Sequence, residues 1–282
     1  MTIADIIQRY KSTLIKVYDS AEARTIITMV LEKELQLNAL RLEMNKYLLL
    51  TTHQQEILEK YLERLVNHEP VQYILGEADF MDMKFNVNPH VLIPRPETED
   101  LVRWIIESVG QDFSGTILDI GTGSGCIAVA LKKLLPNADV SACDICSNAL
   151  YTATENALRN ETEINFFRLD VLLEKLPSQY DIIVSNPPYV PTKAVKLLEP
   201  ELAFEPQMAL DGGPDGLSIV RRLVSEAPAF LASGGRLLTE IGWDQGPRVE
   251  ALLKDARFSS VRILKDLEEK DRIASGVFIG PV

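Results

Sequence analysis

Cysteine is scarce: Cys126, Cys143 and Cys146 are the three in a chain of 282 residues. Three cannot pair completely, which argues against a disulfide framework. Cys143 and Cys146 form a C-x-x-C with no second ligand pair nearby, so small residues at a strand end are expected rather than a metal or redox site. Long apolar runs are missing too. No stretch of about 18 apolar residues occurs, so no membrane-spanning helix is expected. The opening MTIADIIQRYKS has neither the basic start nor the apolar block of a secretory signal, and a cytoplasmic protein is expected. Positive charge is also in short supply. Lys and Arg number 29 against 41 Asp and Glu, a formal net charge of −12. An acidic surface repels phosphate backbones, so tight non-specific nucleic-acid binding is disfavoured and a basic or neutral protein partner is admitted. A monomer is the expectation.

What is present is an ordinary globular composition, 46% apolar and 25% charged, in two regimes. Residues 1–75 show helical periodicity. Ile26, Ile27, Val30, Leu31 and Leu35 recur at three- and four-residue spacing, as do Ile57, Leu58, Tyr61, Leu62 and Leu65. A small helical bundle is expected there, either a structural appendage or a partner-docking module. Residues 76–97 change character: FMDMKFNVN alternates as a strand does, and two prolines follow in HVLIPRPE. A hairpin linker between two domains is expected, stiffened by Pro94 and Pro96.

From residue 98 to residue 282, strands and helices alternate. TILDI, DVSACDI, INFFRLD and YDIIVSN read as strands, with RLLTEIG and SGVFIG after them, and helical patterns lie between. This order predicts an α/β domain, a parallel sheet with helices on both faces.

The stretch LDIGTGSGCIAVAL, residues 118–131, carries a strand into a glycine turn and then a helix. Glycines tolerate positive φ and let a ligand touch backbone, and exposed N–H groups at the helix start are expected to hydrogen-bond it. The dinucleotide pattern G-x-G-x-x-G fails, because Cys126 stands at its sixth position. What remains is an acid, Asp119, one spacer and G-x-G-x-G. That resembles the first motif of S-adenosylmethionine-dependent methyltransferases, whose ligand has no pyrophosphate. Asp144 ends the next strand, where an acid accepts from both ribose hydroxyls. Asp170 ends the third strand and faces the adenine amino group, with the backbone of Val171 beside it.

YDIIVSN then delivers Asn186, Pro187, Pro188 and Tyr189 to the rim beyond the carboxyl ends of the strands, where ligands of open α/β sheets bind. The motif N-P-P-Y resembles that of methyltransferases acting on planar nitrogens attached to an sp² carbon. Such a nitrogen is a weak nucleophile with two N–H donors in one plane. The side-chain oxygen of Asn186 accepts one and the Pro187 carbonyl the other, both held by the limited φ of proline. The Tyr189 ring offers a stacking face.

Six stretches together resemble the release factor glutamine methyltransferase family: PVQYILG at 70–76, LIPRPETE at 92–99, LDIGTGSG at 118–125, SNPPY at 185–189, FEPQMALDGGPDGL at 204–217 and GWDQG at 242–246. The resemblance implies a Rossmann-like, class I S-adenosylmethionine-dependent methyltransferase domain preceded by a helical domain that docks the protein substrate. It implies methylation of the glutamine amide nitrogen in the Gly-Gly-Gln motif of class I peptide chain release factors. Carried over by position, Gly121, Thr122, Gly123, Ser124, Gly125, Asp144, Asp170, Val171 and Asn186 contact the cofactor. Asn186, Pro187, Pro188 and Tyr189 hold the glutamine, and Asn186, Pro187 and Tyr189 carry the chemistry. Arg95 and Glu97 line the site or form a charge pair at a helix start. Two other enzyme groups share N-P-P-Y, one acting on a ribosomal-protein glutamine and one on adenine N6 of nucleic acid. The charge of −12 and the lack of a basic target-recognition segment argue against the latter. A non-catalytic binding module is disfavoured by the intact Asn186 and glycine loop.

Overall fold

The computed structural model describes residues 1–280, and the chain divides into two compact units. One comprises Met1–Gly76 together with Pro200–Phe204; the other comprises Glu77–Glu199 and Glu205 onward.

The smaller unit is helical: α1 (Ile3–Leu14), α2 (Ser20–Leu35), α3 (Ala39–Met44), α4 (Thr52–Val66) and α5 (Val71–Leu75). Thr2 and Asp5 close a reciprocal capping box on α1, as Thr51 and Gln54 do on α4. Ile3, Ile6, Tyr10 and Leu14 form one buried stripe and pack with Ile27, Val30 and Leu31 of α2 and Leu58, Leu62 and Leu65 of α4. Each fully buried side chain of this size contributes roughly 1.5–3 kcal/mol. Buried Tyr10 and Tyr18 each satisfy their hydroxyl on α4, at the carbonyls of Leu58 and Leu65. The 3₁₀ turn Pro200–Phe204 belongs to this unit, and His68 Nδ1 lies 2.9 Å from Glu201 Oε1.

The larger unit begins with a hairpin, β1 (Glu77–Phe80) and β2 (Met83–Asn86). Its two-residue turn has Met81 and Asp82 at φ 50° and 59°, the backbone that matches the twist of paired strands. Then follow α6 (Pro96–Val109), β3 (Thr116–Ile120), α7 (Cys126–Leu134), β4 (Asp139–Asp144), α8 (Ser147–Arg159), β5 (Asn165–Arg168) and β6 (Tyr180–Ser185). After them come α9 (Thr192–Val195), α10 (Ser218–Ser225), α11 (Ala227–Phe230), β7 (Leu231–Glu240), α12 (Gly246–Asp255), β8 (Phe258–Lys265) and β9 (Asp271–Phe278). Pro96 opens α6 at the first helical position, where a missing N–H costs no hydrogen bond.

The seven-stranded sheet has the order β5-β4-β3-β6-β7-β9-β8. Five strands are parallel. The parallel sheet that the sequence pattern predicts is present, and β9 adds one strand antiparallel to both β7 and β8. Its central strands are buried on both faces, so their apolar residues run almost continuously. Alternate residues serve opposite cores. Ile117, Ile182 and Val184 pack with α6 and α7, while Leu118 and Ile183 pack with α10, α11 and α12. The strand order reverses between β3 and β6, and their carboxyl ends open the crevice where a ligand binds. Ser185 closes that junction by donating a 2.7 Å hydrogen bond to the Ile120 carbonyl. Among the described residues, no helix is long and apolar enough to cross a membrane.

Candidate active site

At the end of β3 the chain turns through Gly121, Gly123 and Gly125, at φ 73°, 53° and 81°. A side chain on Gly121 or Gly123 would meet nothing within 4 Å, so these two glycines face open space. A Cβ on Gly125 would stand 3.0 Å from the Ala153 Cβ, so this glycine lets the loop close on α8. Buried Asn156 of α8 ties the region together: its Nδ2 donates to the carbonyls of Ser124 and Asn86, and its Oδ1 accepts from Asn86 N.

Four N–H groups of the loop are committed within the protein. The N–H groups of Gly121 and Thr122 both bond to the Cys143 carbonyl, that of Gly123 to Asp144 Oδ2, and that of Gly125 to the Thr122 carbonyl. The loop folds back on the end of β4, which takes up the N–H groups of Gly121, Thr122 and Gly123. It presents the open Cα positions of Gly121 and Gly123 to the crevice. That surface suits a ligand without phosphates.

Three acids surround the loop. Asp119 is fully buried, accepts a 2.6 Å bond from the Thr122 hydroxyl, and is pushed up to about 7, first by burial. Asp144 accepts from Gly123 N and Cys146 N, at 2.9 Å each, and burial raises its carboxyl above the ordinary range. Each of its oxygens keeps a lone pair for a ligand hydroxyl. Asp170 accepts from Leu172 N, and the carbonyl of buried Val171 accepts from Arg222 Nε.

Beyond β6 the chain leaves through Asn186, Pro187, Pro188 and Tyr189. Prolines fix φ, and a second segment braces the corner. Val190 and Leu210 to Gly212 pair as a bridge, with Val190 N donating to the Leu210 carbonyl at 3.0 Å and Gly212 N to the Val190 carbonyl at 2.8 Å. Gly216 sits so close that a Cβ there would stand 2.2 Å from the Tyr189 carbonyl, and Gln245 Nε2 donates to that same carbonyl at 2.9 Å. Gly212 and Gly216 are therefore spacers against the proline corner.

These elements enclose a cavity of about 500 Å³. Gly121, Thr122, Gly123 and Ser124 line it, with Asp144, Asp170 and Val171, and with Asn186, Pro187 and Pro188 on the other side. Gly125 and Tyr189 are outside the lining. Gly125 packs on Ala153, and Tyr189 lies next to Glu240 and Arg272, its hydroxyl pushed up to about 12 by burial first. Of the linker pair, Arg95 lines the cavity and pairs with buried Glu205 rather than Glu97. The expectation that Glu97 lines the site is not met. It is exposed in the first turn of α6, where a carboxylate complements the helix dipole. The cavity fits an adenosyl-bearing sulfonium. It has room, acceptors at two strand ends and open glycines.

Two residues next to the corner carry no local signature in the sequence. Thr98 of α6 donates to Glu240 Oε2 at 2.7 Å, and Asn186 Nδ2 donates to Thr98 Oγ1 at 3.0 Å. Thr98 and Glu240 are both buried, and Glu240 is pushed up to about 7, first by burial.

The chain is similar to known proteins over most of its length. Residues 5–76 match the family model described as PrmC N-terminal domain, and residues 100–202 that described as Methyltransferase small domain. The release factor glutamine methyltransferase of Flavobacterium psychrophilum is 38% identical over 279 residues, 97% of this chain and 98% of that protein. That of Neisseria gonorrhoeae is 44% identical over 223 residues, 78% and 81% of the two chains. Among solved structures, a methyltransferase from Pyrococcus furiosus is 17% identical, has a TM-score of 0.54, and aligns over 82% of this chain and 100% of that one. That likeness shows the fold.

Proposed function

The chain belongs to the release factor glutamine methyltransferase family, and from that premise we propose that it methylates the side-chain amide nitrogen of the Gly-Gly-Gln glutamine in class I peptide chain release factors. S-adenosylmethionine supplies the methyl group, as an electrophilic carbon on a sulfonium. Gly121, Thr122, Gly123 and Ser124 would hold it with Asp144 at the ribose, and Asp170 and Val171 at the adenine. Gly125 acts indirectly, by seating the loop on Ala153.

The observation that carries the reading is the braced proline corner in the cavity wall. An amide nitrogen is a weak nucleophile because its lone pair is delocalised into the carbonyl. Its two N–H groups lie in one plane. Asn186 Oδ1 and the Pro187 carbonyl form a matching pair of acceptors, which orient the nitrogen and raise its electron density. Orientation of this kind is worth up to roughly 7–11 kcal/mol of a two-reactant barrier. The amide would need no base beforehand: the nitrogen takes the methyl carbon as the carbon–sulfur bond breaks and the thioether leaves, and the cationic N-methyl amide then releases one proton to solvent. Pro188 stiffens the corner, and Tyr189 contributes its carbonyl to the brace through Gln245.

The helical unit of residues 1–75 would dock the release factor, with residues 76–97 leading into the methyltransferase domain of residues 98–282. A cytoplasmic location follows from a substrate that acts in translation. The decisive experiment incubates the protein with labelled S-adenosylmethionine and a purified class I release factor, then locates the methyl group by peptide mass. A label on the Gly-Gly-Gln glutamine is expected. A label on DNA or on a ribosomal protein alone would overturn the substrate reading.

A further inference from the structure

We propose that Thr98 and Glu240 are positioning residues for Asn186, holding its amide in one of two rotamers through a directed chain of two hydrogen bonds. The inference rests on the reading above, in which Asn186 Oδ1 accepts an N–H of the substrate amide.

The direction of the chain follows from its donor count. With Glu240 ionised, the form that prevails above about pH 7, its carboxylate only accepts, so the single hydroxyl proton of Thr98 points to Glu240 Oε2, 2.7 Å away. The Thr98 oxygen is left as an acceptor. Asn186 must then present Nδ2 to it, and does so at 3.0 Å. The amide oxygen is thereby turned to the other side, toward the cavity that Asn186 lines. A rotated amide would set Oδ1 against the Thr98 oxygen, two acceptors in contact, and would offer N–H groups to a substrate that also brings N–H groups. Oxygen and nitrogen of an amide are nearly the same size, so packing alone discriminates poorly between the two rotamers.

Burial gives the chain its leverage. Thr98 is 2% exposed and Glu240 1%, so water does not compete for their bonds. The three side chains come from three places in the fold: the first turn of α6, the residue that follows β6 and the end of β7. Arg272 and Arg95 lie on the favourable side of the Glu240 charge and Glu97 on the unfavourable side.

The test compares Thr98→Val, which keeps the shape without the hydroxyl, with Thr98→Ser and Glu240→Gln. Thr98→Val should lower kcat roughly 10- to 100-fold, the scale for losing a group that fixes a placed hydrogen bond. KM for the release factor and Kd for S-adenosylhomocysteine should stay within about threefold. Thr98→Ser should restore most of the rate. Glu240→Gln, whose amide lets the chain run either way, should lie between. In the Asn186→Ala background, Thr98→Val should cost nothing further, because there is no amide left to orient. A structural role for Thr98 would lower both backgrounds alike, and that result overturns the proposal. A second readout needs no substrate. The side-chain NH₂ of Asn186, assigned by its absence in Asn186→Ala, should show one exchange-protected hydrogen in the wild-type protein and Thr98→Ser, lost in Thr98→Val. Equal protection in Thr98→Val would also overturn it. If the wild-type protein methylates no release factor, the substrate reading fails, while the amide spectrum still decides the chain.

Discussion

Thr122 donates its hydroxyl to Asp119 Oδ2 at 2.6 Å, while Asp119 Oδ1 has no hydrogen-bond partner among the described residues although it is fully buried. Burial carries this carboxyl from 3.8 to about 7, and the charge of Asp144 adds to the shift. Glu240, carried from 4.5 to about 7, behaves in the same sense.

The consequence is a falling stability with rising pH. In the unfolded chain these carboxyls lose their protons near pH 4, and in the folded one near pH 7. Between those values the native state holds protons that the unfolded state has released, so stability decreases across the window and levels off above it. Each group accounts for roughly 3–4 kcal/mol at most. Asp119→Asn removes one titration, so its Tm should gain on the wild-type protein as pH rises from 5 to 8. Thermal unfolding at both pH values checks this, and a constant difference between variant and wild type would contradict it.

Asn186→Ala deletes one of the two acceptors at the corner. Cofactor affinity should stay within a few-fold, because the loop and Asp144 are untouched. Methyl transfer should fall by about 10²–10³, the scale for removing one placed hydrogen-bond group. Single-turnover rates beside calorimetric binding of S-adenosylhomocysteine separate the two effects. A near-normal rate would mean that the amide nitrogen is not held here.

Gly216→Ala addresses the brace from the opposite side. The residue has φ +79°, and its new methyl group would meet the Tyr189 carbonyl at 2.2 Å and Gln245 Nε2 at 2.6 Å. Left-handed backbone at a non-glycine residue costs about 1–2 kcal/mol before the clash is counted. The corner must shift, so kcat should drop at least tenfold together with a Tm loss of several degrees. Unchanged kinetics would show that the 211–216 segment does not hold the corner in place.

The sequence made legible what local pattern dictates. TILDI coincides with β3, Thr116–Ile120, because a strand covered on both faces is apolar nearly throughout. The glycine loop and the proline corner were readable as turns at strand ends. Direction was not: β9 pairs antiparallel between β7 and β8, and β8 has an irregular burial pattern with register shifts that mask its period. Hydrogen-bond bookkeeping was also hidden. Whether Gly123 N is free depends on Asp144 folding back to meet it, and a strand and a helix separate the two in the chain. Thr98 and Glu240 stand 142 residues apart, so no spacing rule could join them.

Asp144 has two duties, and its replacement should reveal both. Its carboxylate accepts from Gly123 N and Cys146 N, which fixes the loop, and it has lone pairs left for two ribose hydroxyls. Asp144→Asn keeps the volume but replaces one acceptor oxygen with an NH₂ group, which faces either a backbone N–H or a hydroxyl that should donate. Affinity for S-adenosylhomocysteine should weaken about 10- to 100-fold, as for hydrogen bonds to a charged group. A saturating ligand that binds only the folded state raises Tm according to RT ln(1 + [L]/Kd), so the shift at fixed ligand concentration should shrink by the equivalent of about 1.4–2.8 kcal/mol. Adenosine diphosphate serves as the comparison, since the loop has already committed the N–H groups of Gly121, Thr122, Gly123 and Gly125. It should produce a much smaller shift in the wild-type protein. A diphosphate that stabilised the protein as strongly as S-adenosylhomocysteine would show that the loop cradles anions after all.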